Sequence, residues 1–396
     1  MTHVNCLVLC TSPLQLVIAR SAMDVLSEKD GCFRKAYGII IHPLLGENSK
    51  TIIRAVGGTL AYESVEDYTL AYQRLTAGRR VLSAVQSKPD HNFRSRARNL
   101  VEKFKMIQGE LSTAIAHEIG QVDEVFCRQA SSTLEHLFVA AINSSTKKYA
   151  IEDGLADHLP GSWKFTHVNG YEIRRWVKRS AVQLSKYCAS TILTRDPKTS
   201  SMIHFPGSIR WTKYFSATNH DSDLPIADKF KSNIAKFSRD FSREQNQKVV
   251  IFGSLLSRNA GTLGVEDEID FYNYCLRGIK QRHSITCNEI WYKPHPRLAR
   301  DAWERKSSEL SCQVFDYDNQ VLAEVTLQNP NLLAVYSVGS TALIYAAVMF
   351  KKPAFQLNLG RKLGAHPSVY QKYRYINEKF GIPLVVEQEF GRAHSP

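Results

Sequence analysis

Hydrophobic positions in this chain fall in short continuous runs separated by polar stretches, rather than in strict alternation. The first run is Val4 to Cys10 (VNCLVLC). Its length, its bounding turn residues and its lack of a polar face predict a parallel strand buried on both sides. Thr11-Ser12-Pro13-Leu14-Gln15 follows. Ser12 suits an N-cap, Pro13 the first helical position, and Gln15 completes a capping box, so a helix is expected as far as Glu28. Further strands are expected at Gly38 to His42, Val122 to Cys127 and Lys148 to Ile151, with a helix at Ser132 to Ile142. This alternation predicts a doubly wound parallel sheet.

The middle of the chain is less regular. Arg174 to Thr194 reads as a basic helix. Residues 196–247 are rich in turn formers, including Asn219-His220-Asp221-Ser222-Asp223, and read as an irregular linker. The domain boundary is placed there, giving domains of residues 1–235 and 236–396. A second alternation then begins. Strands are expected at Lys248 to Gly253, Glu289 to Lys293, Cys312 to Phe315, Leu333 to Tyr336 and Ala354 to Leu357. Helices are expected at Glu266 to Gln281, Leu298 to Leu310 and Thr341 to Phe350. The uncharged segment Leu332 to Phe350 is nearly long enough to span a bilayer. Ser337, Gly339, Ser340 and Thr341 in its middle favour a buried strand, a tight turn and a helix. Two α/β halves of similar size resemble a GT-B arrangement, in which two Rossmann-like doubly wound domains face a cleft.

Composition narrows the class. The 396 residues are 43% hydrophobic and 22% charged, as in a soluble globular protein with two cores. The net charge of +13 favours acidic partners such as a nucleotide, an acidic glycan or anionic lipid. The eight cysteines include no CxxC pair and sit mostly in apolar segments, so they read as buried thiols in a reducing compartment. The first apolar run is too short for a signal peptide, which points to the cytoplasm. The basic stretches Arg94-Ser95-Arg96-Ala97-Arg98 and Arg174-Arg175-Trp176-Val177-Lys178-Arg179 suit an acidic glycan, peripheral contact with an anionic inner-membrane surface, or simple solvated faces. Aromatics are not interleaved with them as in RNA-binding motifs, so no nucleic-acid partner is expected. A Gly-rich dinucleotide fingerprint, HExxH, a clustered metal-ligand spacing and a GxSxG elbow are all absent. No cofactor and no metal are expected.

Three segments could carry chemistry. Glu152-Asp153-Gly154 lies at an expected strand end, where a carboxylate can act as a base and Gly154 permits a sharp exit. An ordinary acidic turn has the same residues. Tyr292-Lys293-Pro294-His295-Pro296-Arg297 holds an imidazole between two prolines beside Lys293, where it can meet a phosphate or merely cap a turn. Ser337-Val338-Gly339-Ser340-Thr341 precedes a helix, where Gly339 admits an anion and Ser340 and Thr341 add hydroxyls, or where Ser340 simply caps. Ser12 and Gln15 form a comparable helix start in the first half, which could line the acceptor side of the cleft or simply cap the helix.

The order D/E-D/E-G, HP, S-S/T, present as Glu152-Asp153-Gly154, His295-Pro296 and Ser340-Thr341, resembles bacterial sialyltransferases of the polysialyltransferase and lipooligosaccharide type. The opening Thr11-Ser12-Pro13-Leu14-Gln15 is similar to their N-termini. The resemblance implies inverting, metal-independent transfer of sialic acid from CMP-sialic acid to a glycan acceptor, acidic or lipid-linked, of a bacterial surface polysaccharide. Glu152 would be the general base, Asp153 its support or the group that orients the acceptor, and His295 the group that stabilises the leaving phosphate. Ser340 and Thr341 would hold that phosphate, while Pro296 and Gly154 shape the backbone. A transferase for another CMP-linked acidic sugar (Kdo, legionaminic or pseudaminic acid), a sugar-nucleotide epimerase or UDP-sugar transferase, and a non-catalytic basic anion-binding protein are the competing expectations.

Overall fold

The computed structural model describes residues 2–41, 47–67, 109, 112–113, 115–117, 119–128, 139, 142, 145–152, 212–218, 222–237, 246–254, 265–296, 298–317, 322–357, 374–376 and 378–385. The expected helix at Arg174 to Thr194 and both basic stretches lie outside these residues, as does most of Ser132 to Ile142.

The first sheet comprises β1 (His3–Cys10), β2 (Phe33–Ile40), β3 (Ser64–Asp67), β4 (Glu124–Arg128), β5 (Lys147–Ile151) and β6 (Lys213–Phe215), in the order β3-β2-β1-β4-β5-β6. All its pairings are parallel. Cys6 to Cys10 are completely buried at consecutive positions, which explains why β1 is apolar without alternation. Helix α1 (Pro13–Asp30) buries Leu16, Val17, Ala19, Met23 and Leu26, among others. It ends at Gly31, whose φ of 68° places it in the left-handed region. Helix α2 (Glu47–Thr59) approaches β3 so closely at Gly57 that a Cβ there would meet Val65 Cγ2 at 2.3 Å.

The second sheet comprises β7 (Val249–Phe252), β8 (Ile290–Lys293), β9 (Gln313–Val314), β10 (Ala334–Ser337), β11 (Ala354–Leu357) and β12 (Leu384–Val385). Its order, β12-β11-β10-β7-β8-β9, read from the other edge is β9-β8-β7-β10-β11-β12. Counted from the first strand of each sheet, both orders are therefore 3-2-1-4-5-6, the Rossmann order. These pairings too are all parallel. The core of this sheet includes Ile251, Tyr272, Leu276, Ile290, Tyr292 and Tyr336.

The chain forms two compact units, and the described residues part between Phe230 and Lys231, five residues before the expected boundary. The stretch expected to be an irregular linker holds regular structure. Residues 213–215 form β6, paired with Tyr149 to Ile151 at the sheet edge, and Ala227–Ala235 forms helix α3. A three-residue strand leaves no readable periodicity. The spacing of Ile226, Phe230 and Ile234, all buried, is the helical signal that the turn formers masked. Elsewhere expected and observed elements differ at their ends. Helix α4 runs Val265–His283 and α5 runs Arg300–Glu309, while a short α6 (Ala323–Thr326) went unread. The segment after β10 is α7 (Thr341–Ile344) continued by a π-helical turn, Tyr345–Met349. Leu332 to Phe350 is thus strand, turn and helix. Among the described residues no helix is long and apolar enough to cross a membrane.

The amino-terminal edge of the first sheet is fastened by charge. Arg34 on β2 is 3% exposed and donates from Nε to Glu124 Oε2 at 2.8 Å and from Nη2 to Glu124 Oε1 at 3.0 Å. Its Nη1 and Nη2 also reach Asp30 at 2.9 and 2.6 Å. Tyr149 on β5 donates to the same Glu124 at 3.4 Å. These bonds tie α1, β2, β4 and β5 together far from the carboxyl ends of the strands. Replacing Arg34 with methionine leaves the Glu124 carboxylate buried without its main counter-charge. We expect a loss of about 3–5 kcal/mol, measured by urea unfolding of the full chain, with much of it recovered in Arg34→Met/Glu124→Leu.

Candidate active site

Open parallel sheets bind ligands outside the carboxyl ends of their strands, at the point where the strand order reverses. In the second sheet that point lies between β7 and β10. Ser337, the fully buried last residue of β10, donates from Oγ to the Phe252 carbonyl on β7 at 2.8 Å and accepts from Gly339 N at 3.3 Å. Gln356 on β11 donates to the Val338 carbonyl at 2.8 Å. Ser254, just past β7, donates from Oγ to the Gly339 carbonyl at 3.2 Å. The Ser337-Val338-Gly339-Ser340 turn is thereby held from both sides. Ser340 is the N-cap of α7, its Oγ accepting from Ala342 N at 3.2 Å. Gly339, Ser340 and Thr341 are half-buried, so the turn meets solvent.

The histidine–proline segment continues β8 on the other side of β7. The ladder extends one step past the strands, with Gly253 N donating to the Lys293 carbonyl at 2.8 Å. Lys293 is buried with its ammonium 5.1 Å from the centroid of the Phe315 ring, a cation–π contact on the β9 side. Pro294 is buried, His295 half-buried and Pro296 exposed. The His295 carbonyl accepts from Leu298 N at 2.9 Å, closing the turn that leads to α5. Since β8 and β10 flank β7, the two motifs stand roughly 10 Å apart at the sheet edge. Gly253 lies between them. A Cβ at Gly253 would sit 2.4 Å from the Tyr292 hydroxyl, so no side chain fits there.

The first unit carries the remaining candidates at its own carboxyl edge. Glu152 follows β5 and is completely buried. Its Oε2 accepts from Ser216 Oγ at 2.8 Å and from Ala217 N at 3.0 Å, both just past β6. The hydroxyl and the amide fix the orientation of the carboxylate. Asp153 and Gly154 lie outside the described residues. Ser12 and Gln15 flank the switch point of this sheet, between β1 and β4. Gln15 Oε1 accepts from Thr11 N at 2.6 Å, Ser12 N at 3.3 Å and Thr11 Oγ1 at 3.3 Å, so this side chain shapes the turn. Ser12 is half-buried.

The structure thus brings Lys293, His295, Pro296, Gly339, Ser340 and Thr341 to one sheet edge, and Ser12, Gln15 and Glu152 to the other. Sequence reasoning missed Gly253, Ser254, Gln356 and Ser216. The signal for the first two was available: they directly follow the wholly apolar strand β7. Ser216 acts across 64 residues of sequence, which no local pattern encodes.

Two Rossmann-ordered parallel α/β units with polar turns at the strand ends are the build shared by GT-B proteins. Residues 7–359 match the family of alpha-2,8-polysialyltransferases (POLYST), and the chain belongs to that family. Among solved structures it is similar to Staphylococcus aureus MnaA with UDP (12% identity, covering 99% of this chain and 87% of that one, TM-score 0.48). It is also similar to Escherichia coli heptosyltransferase WaaC with ADP-2-deoxy-2-fluoro heptose (12% identity, covering 95% and 99%, TM-score 0.40). A sialyltransferase from Photobacterium damsela matches at 8% identity, covering 97% of this chain and 81% of that one, with a TM-score of 0.44. No match was found among curated protein sequences.

Because Tyr292 is buried and held by Lys306 Nζ at 3.0 Å, it has no room to yield to a larger residue at position 253. Gly253→Ala should lower stability by about 1–3 kcal/mol, read from the urea midpoint. An unchanged midpoint would show that the β7 end moves freely.

Proposed function

We propose that this protein is an inverting sialyltransferase that uses CMP-sialic acid and needs no metal. The observation that carries this reading is the placement of His295-Pro296 and Ser340-Thr341 on either side of β7, at the switch point of the second sheet. The donor phosphate lies over the β7 end, with the His295 imidazole on one side and the Ser340 and Thr341 hydroxyls on the other. Negative charge grows on that phosphate as the bond to the anomeric carbon breaks. Donors fixed in place stabilise it more in the transition state than in the ground state. The acceptor hydroxyl attacks the anomeric carbon, CMP departs, and the hydroxyl proton passes to the Glu152 carboxylate. Asp153 orients the acceptor. The net charge of +13 suits an acidic, polymeric or lipid-linked glycan and peripheral contact with an anionic membrane from the cytoplasmic side.

The purified chain should release CMP from CMP-sialic acid only when a sialylated oligosaccharide is present, and equally with a chelator added. Glu152→Gln should bind CMP as the parent does while losing at least a hundredfold in turnover; wild-type turnover would remove Glu152 from its role. His295→Ala should weaken CMP binding and slow release together, and normal kinetics would refute its contact with phosphate. Release from another CMP-linked acidic sugar in place of sialic acid would keep the mechanism and change the donor.

A further inference from the structure

Beneath the β7 end runs a chain of buried polar groups that the mechanism does not use. Glu268 on α4 and Lys306 on α5 are 0% and 1% exposed and pair at 2.6 Å. The Lys306 ammonium also donates to the Tyr292 hydroxyl at 3.0 Å and lies 5.2 and 5.5 Å from the centroids of the Tyr292 and Tyr272 rings. The two rings pack edge to face with centroids 4.8 Å apart. The Tyr272 hydroxyl accepts from Ser254 N at 3.4 Å, and Ser254 Oγ donates to the Gly339 carbonyl at 3.2 Å.

An ion pair this deep adds little stability over apolar residues of the same volume, because desolvating the charges offsets their attraction. Burial pulls the Lys306 ammonium below its ordinary pKa, and Glu268 pulls it back. What such a network does supply is direction: each group fixes the next. Its far end is the Gly339 carbonyl, inside the turn that precedes Ser340 and Thr341. The Ser254 hydroxyl donates its hydrogen bond to that carbonyl, so it acts on a ligand through the turn.

We propose that Ser254 is a positioning residue of the donor site, which transmits the fixed geometry of the Glu268–Lys306–Tyr292–Tyr272 chain to the Gly339-Ser340-Thr341 turn. This rests on the reading of that turn as the holder of the CMP phosphate. The test measures CMP binding by calorimetry and CMP release from CMP-sialic acid, on the full chain. Ser254→Ala should weaken CMP binding about five- to tenfold, the effect of one hydrogen bond, and lower kcat/KM for the donor in step. Its melting temperature should stay close to that of the parent, and Ser254→Thr, which keeps the hydroxyl, should restore most of the binding. If the parent chain does not bind CMP, the donor-site reading fails and takes this inference with it. If the parent binds CMP and Ser254→Ala binds it equally well, this inference alone is overturned. Loss in Ser254→Ala without rescue by Ser254→Thr also overturns it, since the hydroxyl would then not be the cause.

Discussion

The second unit depends on the pairing of β7 with β8 on one side and β10 on the other. Val249 to Phe252 are buried at every position, and each is in register with a partner on both neighbours. Buried backbone amides and carbonyls must be paired, so this four-residue strand has no freedom to slide. The register then places Phe252 opposite Lys293 and Ser337. Two turns that are far apart in sequence are thereby brought to the same height at the sheet edge. The first unit obeys the same constraint through β1, whose partners are β2 and β4.

Polar groups are divided between the two edges of the first sheet. Its amino-terminal edge is closed by Arg34, which pairs with both Glu124 and Asp30. Its carboxyl edge carries, among the described residues, the buried carboxylate of Glu152, met by a hydroxyl and a backbone amide. The two carboxylates are almost equally hidden from solvent, at 1% and 0% exposure. They differ in partners and in position. A guanidinium holds Glu124 at the amino-terminal edge, where the fold is fastened. Glu152 sits at the edge where parallel sheets bind their ligands.

Much of the fold was legible because doubly buried parallel strands are short, apolar and bounded by turns. VNCLVLC and KVVIFG announce themselves in this way, and Ala354 to Leu357 was placed to the residue. Strands that gain their stability from neighbours were not legible. Lys213 to Phe215 pairs at an edge over three residues, and Leu384 to Val385 over two. Helix α2 was hidden by two adjacent glycines, one of which is there to admit Val65. For the candidate site, the motif residues could be named from their order along the chain. The groups that orient them could not be, because Ser216, Tyr272 and Lys306 matter only once the sheets are wound. Lys293 was legible only as a neighbour of His295; that its ammonium lies over Phe315 follows from the winding of the sheet.

The shared strand order has a consequence for how the protein is made. Every strand of the first sheet precedes every strand of the second, and the first ladder is complete at Phe215, before Val249 begins the next. No described strand is exchanged between the sheets. A chain emerging from the ribosome can therefore close one open edge before the other has been synthesised. The strand pairs most distant in sequence, β1 with β4 and β7 with β10, each form within a single half. None of the described strands has to find its partner across the full length of the chain.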